Sequence, residues 1–227
     1  LALARIVHAG WAGAVYDAAA MRFSMFSSLG MHWLSFSFIL CALYICYERA
    51  LEHTQHQASH DGLTNLLNQR GFRELAEAAY RRSWRERKPL ALLLLDVDHF
   101  KSINDRYGHQ SGDLVLRQLA DCLRRQARAD DIVGRYGGEE FFVLLPGASL
   151  DAAYAKAQQL CCEVRALPIV ALGQPLSITL SVGLALSPLH GVDAVSVVRA
   201  ADAALYRAKK EGRDRVCVAD PARPLVS

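Results

Sequence analysis

Two places in the chain gather carboxylates where a strand end or a chain reversal would present them. One is Arg135-Tyr136-Gly137-Gly138-Glu139-Glu140-Phe141, set between the apolar runs Ile132-Val133 and Phe141 to Leu145. Adjacent glycines between strand-like runs predict a tight two-residue hairpin turn with positive φ at its centre. Glu139 and Glu140 then stand at its tip, where they can meet a metal ion or a substrate; a solvated acidic turn is the competing reading. The other place is Asp96-Val97-Asp98, which closes the unbroken apolar run Leu90 to Leu95. Such a run predicts a central strand buried on both faces. Ligands of open sheets collect at the carboxyl ends of strands, so Asp96 and Asp98 suit a metal, or else cap a following helix.

The elements that must hold these groups follow in order. Asp61 to Asn65 is a turn opening into a helix from Gln69 to about Arg87, with Phe72, Leu75 and Ala79 on its apolar side and Pro89 ending it. Gly108 and Gly112 break the chain, and Asp113 starts a helix from Leu114 to Arg128 with Leu116, Leu119, Ala120 and Leu123 inward. Asn104 and Asp113 pair an amide with a carboxylate, a combination that can read a guanine edge, although Asp113 equally suits a helix cap. A helix over Ser149 to Leu167, a strand over Leu176 to Leu186 bent at Gly183, a helix over Val195 to Lys210 and a strand over Val216 to Val218 complete the series. This order predicts an α+β fold, a ferredoxin-like or palm-type central sheet covered by helices.

The 227 residues hold one ordinary domain and an accessory segment. A net charge of +3 with scattered basic residues leaves no nucleic-acid footprint. The six cysteines form no CxxC pair, which argues against a zinc site or a disulfide framework. From Phe23 to Tyr47 there is no Asp, Glu, Lys or Arg, so 23–47 is expected to be a transmembrane helix, with Trp33, Tyr44 and Tyr47 as interfacial anchors. Residues 1–22 are then a fragment of an upstream membrane or sensory region. Residues 48–60 form a helical signalling linker whose His53, His56 and His60 are solvated rather than metal ligands.

The second part of the chain resembles the GGDEF family, the diguanylate cyclases, from Asp61 to about Val218. The resemblance rests on DGLTNLLNQRGF, LLDVDHFKSINDRYGHQSGD, GRYGGEEFFVLLP, SITLSVGLAL and ADAALYRAKKEGRDRV, in that order. The signature is GGEEF, with Glu139 where many relatives carry Asp. It implies a catalytic domain over 61–218 followed by a disordered tail, 219–227. Asp96, the carbonyl of Val97, Glu139 and Glu140 would bind Mg²⁺ or Mn²⁺, with Glu139 and Glu140 catalytic. Gly137 and Gly138 would admit the phosphates of GTP. Asn104 and Asp113 would recognise guanine, with His109 lining the site, and Lys101, Lys209 and Arg213 would meet phosphates.

The resemblance further implies that a homodimer joins two GTP into c-di-GMP and pyrophosphate, anchored at the inner membrane of a bacterium with the catalytic domain in the cytoplasm. Arg128-Ala129-Asp130-Asp131 would bind product c-di-GMP through Arg128 and Asp131, as a feedback site. Gln158-Gln159 stand where the family has a supporting arginine, which weakens that site. An inactive domain acting as a c-di-GMP or GTP receptor is the alternative.

Overall fold

The structure, a computed structural model, describes residues 17, 33, 36–47 and 59–221. The chain divides into two compact units, Leu1–Gln55 and His56–Ser227. In the first unit, residues 17, 33 and 36–47 are helical and exposed. Among the described residues no helix is long and apolar enough to cross a membrane. The rest of the span expected over 23–47, most of 1–22 and the linker up to residue 58 lie outside the described residues, His53 and His56 among them.

The second unit is a mixed α+β domain with helices α1 (Gln69–Glu86), α2 (Phe100–Tyr107), α3 (His109–Gln126), α4 (Leu150–Arg165) and α5 (Ala194–Lys210). Its strands are β1 (Leu90–Val97), β2 (Ile132–Arg135), β3 (Glu140–Pro146), β4 (Ile169–Ala171), β5 (Gln174–Leu176), β6 (Leu180–Ser187) and β7 (Val216–Val218). The main sheet has the order β2-β3-β1-β6-β7, with β1 antiparallel to both β3 and β6, and β7 parallel to β6. β1 is therefore the central strand, and all its residues are buried.

The two-residue period of β1 explains the layers. Ala91, Leu93, Leu95 and Val97 join a core with Val115, Leu116 and Leu119 of α3 and Ala153, Ala157 and Leu160 of α4. Leu90, Leu92 and Leu94 join the opposite core with Phe72 and Ala76 of α1 and Val197, Ala201 and Leu205 of α5. The same alternation turns Asp96 to the side of α5. Two strand neighbours flank it, since Asp96 is registered with Glu140 on β3 and with Ser181 on β6.

Several local expectations change. In α1 the buried residues are Gly71, Phe72, Ala76 and Tyr80, while Leu75 is exposed, because the helix docks through Phe72, whose ring centroid lies 3.5 Å from that of Phe142. α3 begins at His109 directly after Gly108, whose φ of 80° makes the break, so Asp113 lies inside the helix and does not cap it. The strand expected over Leu176 to Leu186 is two: β5 pairs with β4 in a small sheet of its own, and β6 enters the main sheet. At the chain's end Ala219 is buried and donates its N–H to Leu184 O (2.7 Å), and Asp220 pairs with Arg207 at 2.7 Å. Order therefore reaches past 218, while 222–227 lie outside the described residues. His60 likewise belongs to this unit, bridged to Leu67.

Gly183 is needed for helix packing, not for a bend. A Cβ there would lie 2.1 Å from Ala201 O and 2.4 Å from Leu205 N, both backbone atoms of α5. Neither can retreat without moving the helix that carries Lys209. Gly183→Ala is therefore expected to cost about 3 kcal/mol by urea denaturation; a loss under about 0.5 kcal/mol would show that α5 is not seated this tightly.

Candidate active site

The carboxylates are placed by three different elements. Asp96 is the penultimate residue of β1 and is only 4% exposed. Its Oδ2 lies 2.6 Å from the Nζ of Lys209, which reaches across from the last turn of α5. Glu140 opens β3 opposite Asp96, and Glu139 precedes it in the loop from β2, where its carbonyl accepts the N–H of Val97 (3.2 Å). Burial, followed by the charge of Asp96, holds the carboxyls of both Glu139 and Glu140 above the ordinary range, although Lys209 pulls them down. Burial raises the Asp96 carboxyl too, against Lys209 and the more weakly felt Arg213. The three acids, Lys209 and Arg213 thus form one electrostatic unit.

Asp98 has another task. Its Oδ1 accepts from the Ser181 hydroxyl (2.6 Å), and its Oδ2 accepts from the Thr179 hydroxyl (2.7 Å) and the Asp214 N–H (3.0 Å). It fastens the end of β1 to the approach of β6 and to the turn after α5. Neither aspartate caps a helix, since the N-cap of α2 is His99 and has no side-chain cap bond.

The glycine loop is held by Arg135. Its guanidinium donates to Gly137 O (3.2 Å) and Gly138 O (2.6 Å), and its Nη1 lies 2.9 Å from Asp61 Oδ1. The Thr64 hydroxyl (2.7 Å) and N–H (2.9 Å) donate to the same Asp61 oxygen. Burial alone would raise the Asp61 carboxyl, but the Thr64 and Arg135 hydrogen bonds more than reverse it, so the carboxyl sits below its ordinary range. The expected two-residue turn is not found. Strand pairing closes at Arg135 and Phe141, Tyr136 and Gly137 donate to Glu140 O, and neither Gly137 nor Gly138 has a positive φ. The glycines leave room instead: a Cβ at Gly138 would meet nothing within 4 Å. Arg135 and Asp61, which fasten the glycine loop, are residues that the sequence reading did not select. Their only signal was a cation beside the glycines and an acid in a turn 74 positions earlier.

Asn104 lies in α2 with its Oδ1 buried and without a hydrogen-bond partner, against Gly112 of α3, where a Cβ would come within 1.9 Å of it. Asp113 follows on α3, half-exposed and 3.9 Å from Arg117, a surface pair of little strength. Lys101 and His109 are exposed on α2 and at the start of α3. Arg213 sits in the turn after α5 at φ 63°. Arg128 and Asp131 close a turn through Arg128 N–H to Asp131 Oδ2 (2.8 Å), and they line a groove of about 320 Å³ with Asn65, Leu66, Arg124 and Val133. Gln159 donates to the Gln126 side chain at 3.0 Å, and Lys156 to the Gln126 carbonyl.

Among the described residues no three His, Cys, Asp or Glu side chains stand close enough together to hold a metal ion as they are. The donor set nevertheless fits a hard divalent cation in its chemistry. Its ligands would be carboxylate and carbonyl oxygens, and Glu139 and Glu140 each feel the charge of Asp96.

The family model described as "Diguanylate cyclase, GGDEF domain" matches residues 58–215. The diguanylate cyclase DgcP of Pseudomonas aeruginosa is 44% identical over 74% of this chain, and DgcM of Escherichia coli K12 is 40% identical over 80%. The chain spans only 25% of the first and 44% of the second. The coiled coil and GGDEF domain of DgcB from Caulobacter crescentus, crystallised with c-di-GMP, superimposes with a TM-score of 0.74 at 32% identity, covering 78% of this chain and 94% of that one. An active GGEEF domain from Vibrio cholerae gives 0.65 at 34% identity, covering 69% and 99%.

Two substitutions separate the neighbouring aspartates. Asp98→Ala strands three donors and is expected to lower stability by about 3 kcal/mol or more. Asp96→Asn is expected to cost under about 1 kcal/mol in metal-free protein, because it removes a charge held at a disadvantage; the reverse order in thermal melts would invert the roles of the two residues. For the acids whose folded pKa is raised, the folded state takes up protons that the unfolded chain does not. Metal-free stability through this cluster should therefore rise as the pH falls from about 7 toward the ordinary carboxylate range. Replacing Glu139 and Glu140 by Gln should flatten that rise.

Proposed function

Since the chain belongs to the diguanylate cyclase GGDEF-domain family, we propose that it condenses two GTP into c-di-GMP at the interface of two copies. The observation that carries this reading is the grouping of Asp96, Glu139 and Glu140 with Lys209 beside an open glycine loop. Each 3′-hydroxyl attacks the α-phosphate of the other GTP, the new P–O bond replaces the bond to pyrophosphate, and the hydroxyl proton leaves. Glu139 is the acceptor for that proton, and burial with the charge of Asp96 holds its carboxyl above the ordinary range, which makes it a stronger base than a solvated carboxylate. Lys209, Arg213 and Lys101 offset the charge of the triphosphate. Gly137 and Gly138 let the backbone approach it where a side chain would intrude.

Asn104 and Asp113 read the base, the carboxylate accepting from its N–H groups and the amide donating to it, with His109 at the rim. Family members use a divalent metal; in this chain Asp96, the Val97 carbonyl, Glu139 and Glu140 would hold Mg²⁺ or Mn²⁺, which when bound lowers the pKa of a ligated hydroxyl and neutralises phosphate charge. Arg128 and Asp131 form a feedback site for c-di-GMP, weakened by Gln158-Gln159.

A homodimer is required because one domain carries half the constellation. The charge-free stretch 23–47 supports anchorage in the inner membrane of a bacterium, with the linker 48–60 passing a signal to a cytoplasmic domain.

Incubating the purified chain with GTP and Mg²⁺ beside Glu139→Gln tests this. Wild type is expected to give c-di-GMP and pyrophosphate, and the variant to lose about 100-fold or more in turnover. Asp113→Ala is expected to relax guanine preference. If wild type forms no product even when fused to a dimeric coiled coil, yet binds c-di-GMP, the protein is a receptor.

A further inference from the structure

The tightest contact in the carboxylate cluster is made by a lysine. Lys209 Nζ lies 2.6 Å from Asp96 Oδ2, and the Asp96 side chain is only 6% exposed while that of Lys209 is 32% exposed. An ion pair this short between one buried partner and one reachable partner occupies the oxygen that a divalent cation would need. Lys209 has the means to leave. It lies in the last turn of α5, on a flexible four-carbon stem whose ammonium is a compact point charge. Arg213, in the turn just beyond, adds positive charge that Asp96 already feels.

We propose that the Lys209 ammonium is a place-holder for the divalent cation at Asp96 and is handed over to the incoming phosphate when the cation arrives. This rests on the reading of Asp96 as a metal ligand. Its consequence is that metal and triphosphate bind with positive linkage, each freeing the partner the other needs. With neither bound, Asp96 stays paired, so the buried carboxylate does not face its acidic neighbours alone.

The test uses the full chain and Mn²⁺ alone, with free and bound ion distinguished by electron paramagnetic resonance and no nucleotide present. Lys209→Met keeps the stem and removes the competing charge; it is expected to tighten Mn²⁺ binding by roughly tenfold, in the range of a charge-assisted hydrogen bond. Lys209→Gln should move in the same direction, which guards against a packing artefact of the methionine. Lys210→Met, which removes an equal charge from the neighbouring lysine stacked 4.7 Å over Tyr206, should leave binding within about twofold. Adding inorganic triphosphate should draw Lys209 away and so tighten Mn²⁺ binding more in wild type than in Lys209→Met.

Asp96→Asn distinguishes the two ways of failing. If it leaves Mn²⁺ binding unchanged, the metal site itself is misassigned. If it abolishes binding while Lys209→Met binds no tighter than wild type, the metal site stands and the place-holder is overturned. Equal tightening by Lys209→Met and Lys210→Met would also overturn it, because the effect would then be general charge.

Discussion

The geometry of the site depends on one guanidinium. Arg135 spans from Asp61, at the entrance to the domain, to the carbonyls of Gly137 and Gly138. Two glycines in a loop without positive φ have little intrinsic reason to hold one shape, and the loss of conformational freedom there is among the largest in the chain. A planar donor fork engaging two carbonyls and a carboxylate supplies what the glycines lack. The loop can stay bare and still present Glu139 and Glu140 in a fixed direction. Because Asp61 also takes two hydrogen bonds from Thr64, the shape of the loop is tied to the first turn of the domain.

A second constraint comes from the central strand. β1 is buried throughout, and its alternation sends Leu92 and Leu94 toward α5 and puts Asp96 on that same side. Lys209 pairs with it there. Asp98, two residues on, is saturated by Ser181, Thr179 and Asp214 and serves the fold. One short segment thus holds a carboxylate kept at a cost beside a carboxylate that pins strands together.

Much of this was legible in the sequence, and the exceptions share a cause. The central strand, the hairpin strands and the final helix follow from local periodicity, which one stretch of chain carries by itself. What β1 and β3 bring together, Asp96 with Glu140, follows once the strands are paired. The different fates of Asp96 and Asp98 were not legible, because their partners come from Thr179 to Asp214, far along the chain. Arg135 and Asp61 escaped for the same reason. Gly183 reads locally as a bend, yet its purpose is space for a helix some 20 residues later. Asp113 reads as a cap, yet Gly108 alone makes the break between α2 and α3. The span over 23–47 was read from composition, and of it residues 33 and 36–47 are described, all of them helical.

A double-mutant cycle between Asp61 and Arg135, read on the rate of GTP turnover, tests most directly whether the clamp sets the site. If it does, Asp61→Asn and Arg135→Met should each lower the rate by about tenfold or more, and the double variant should be scarcely worse than either, giving a coupling of about 1 kcal/mol or above. Losses that simply add, or single variants as fast as wild type, would contradict the account and leave the loop's shape to its own backbone.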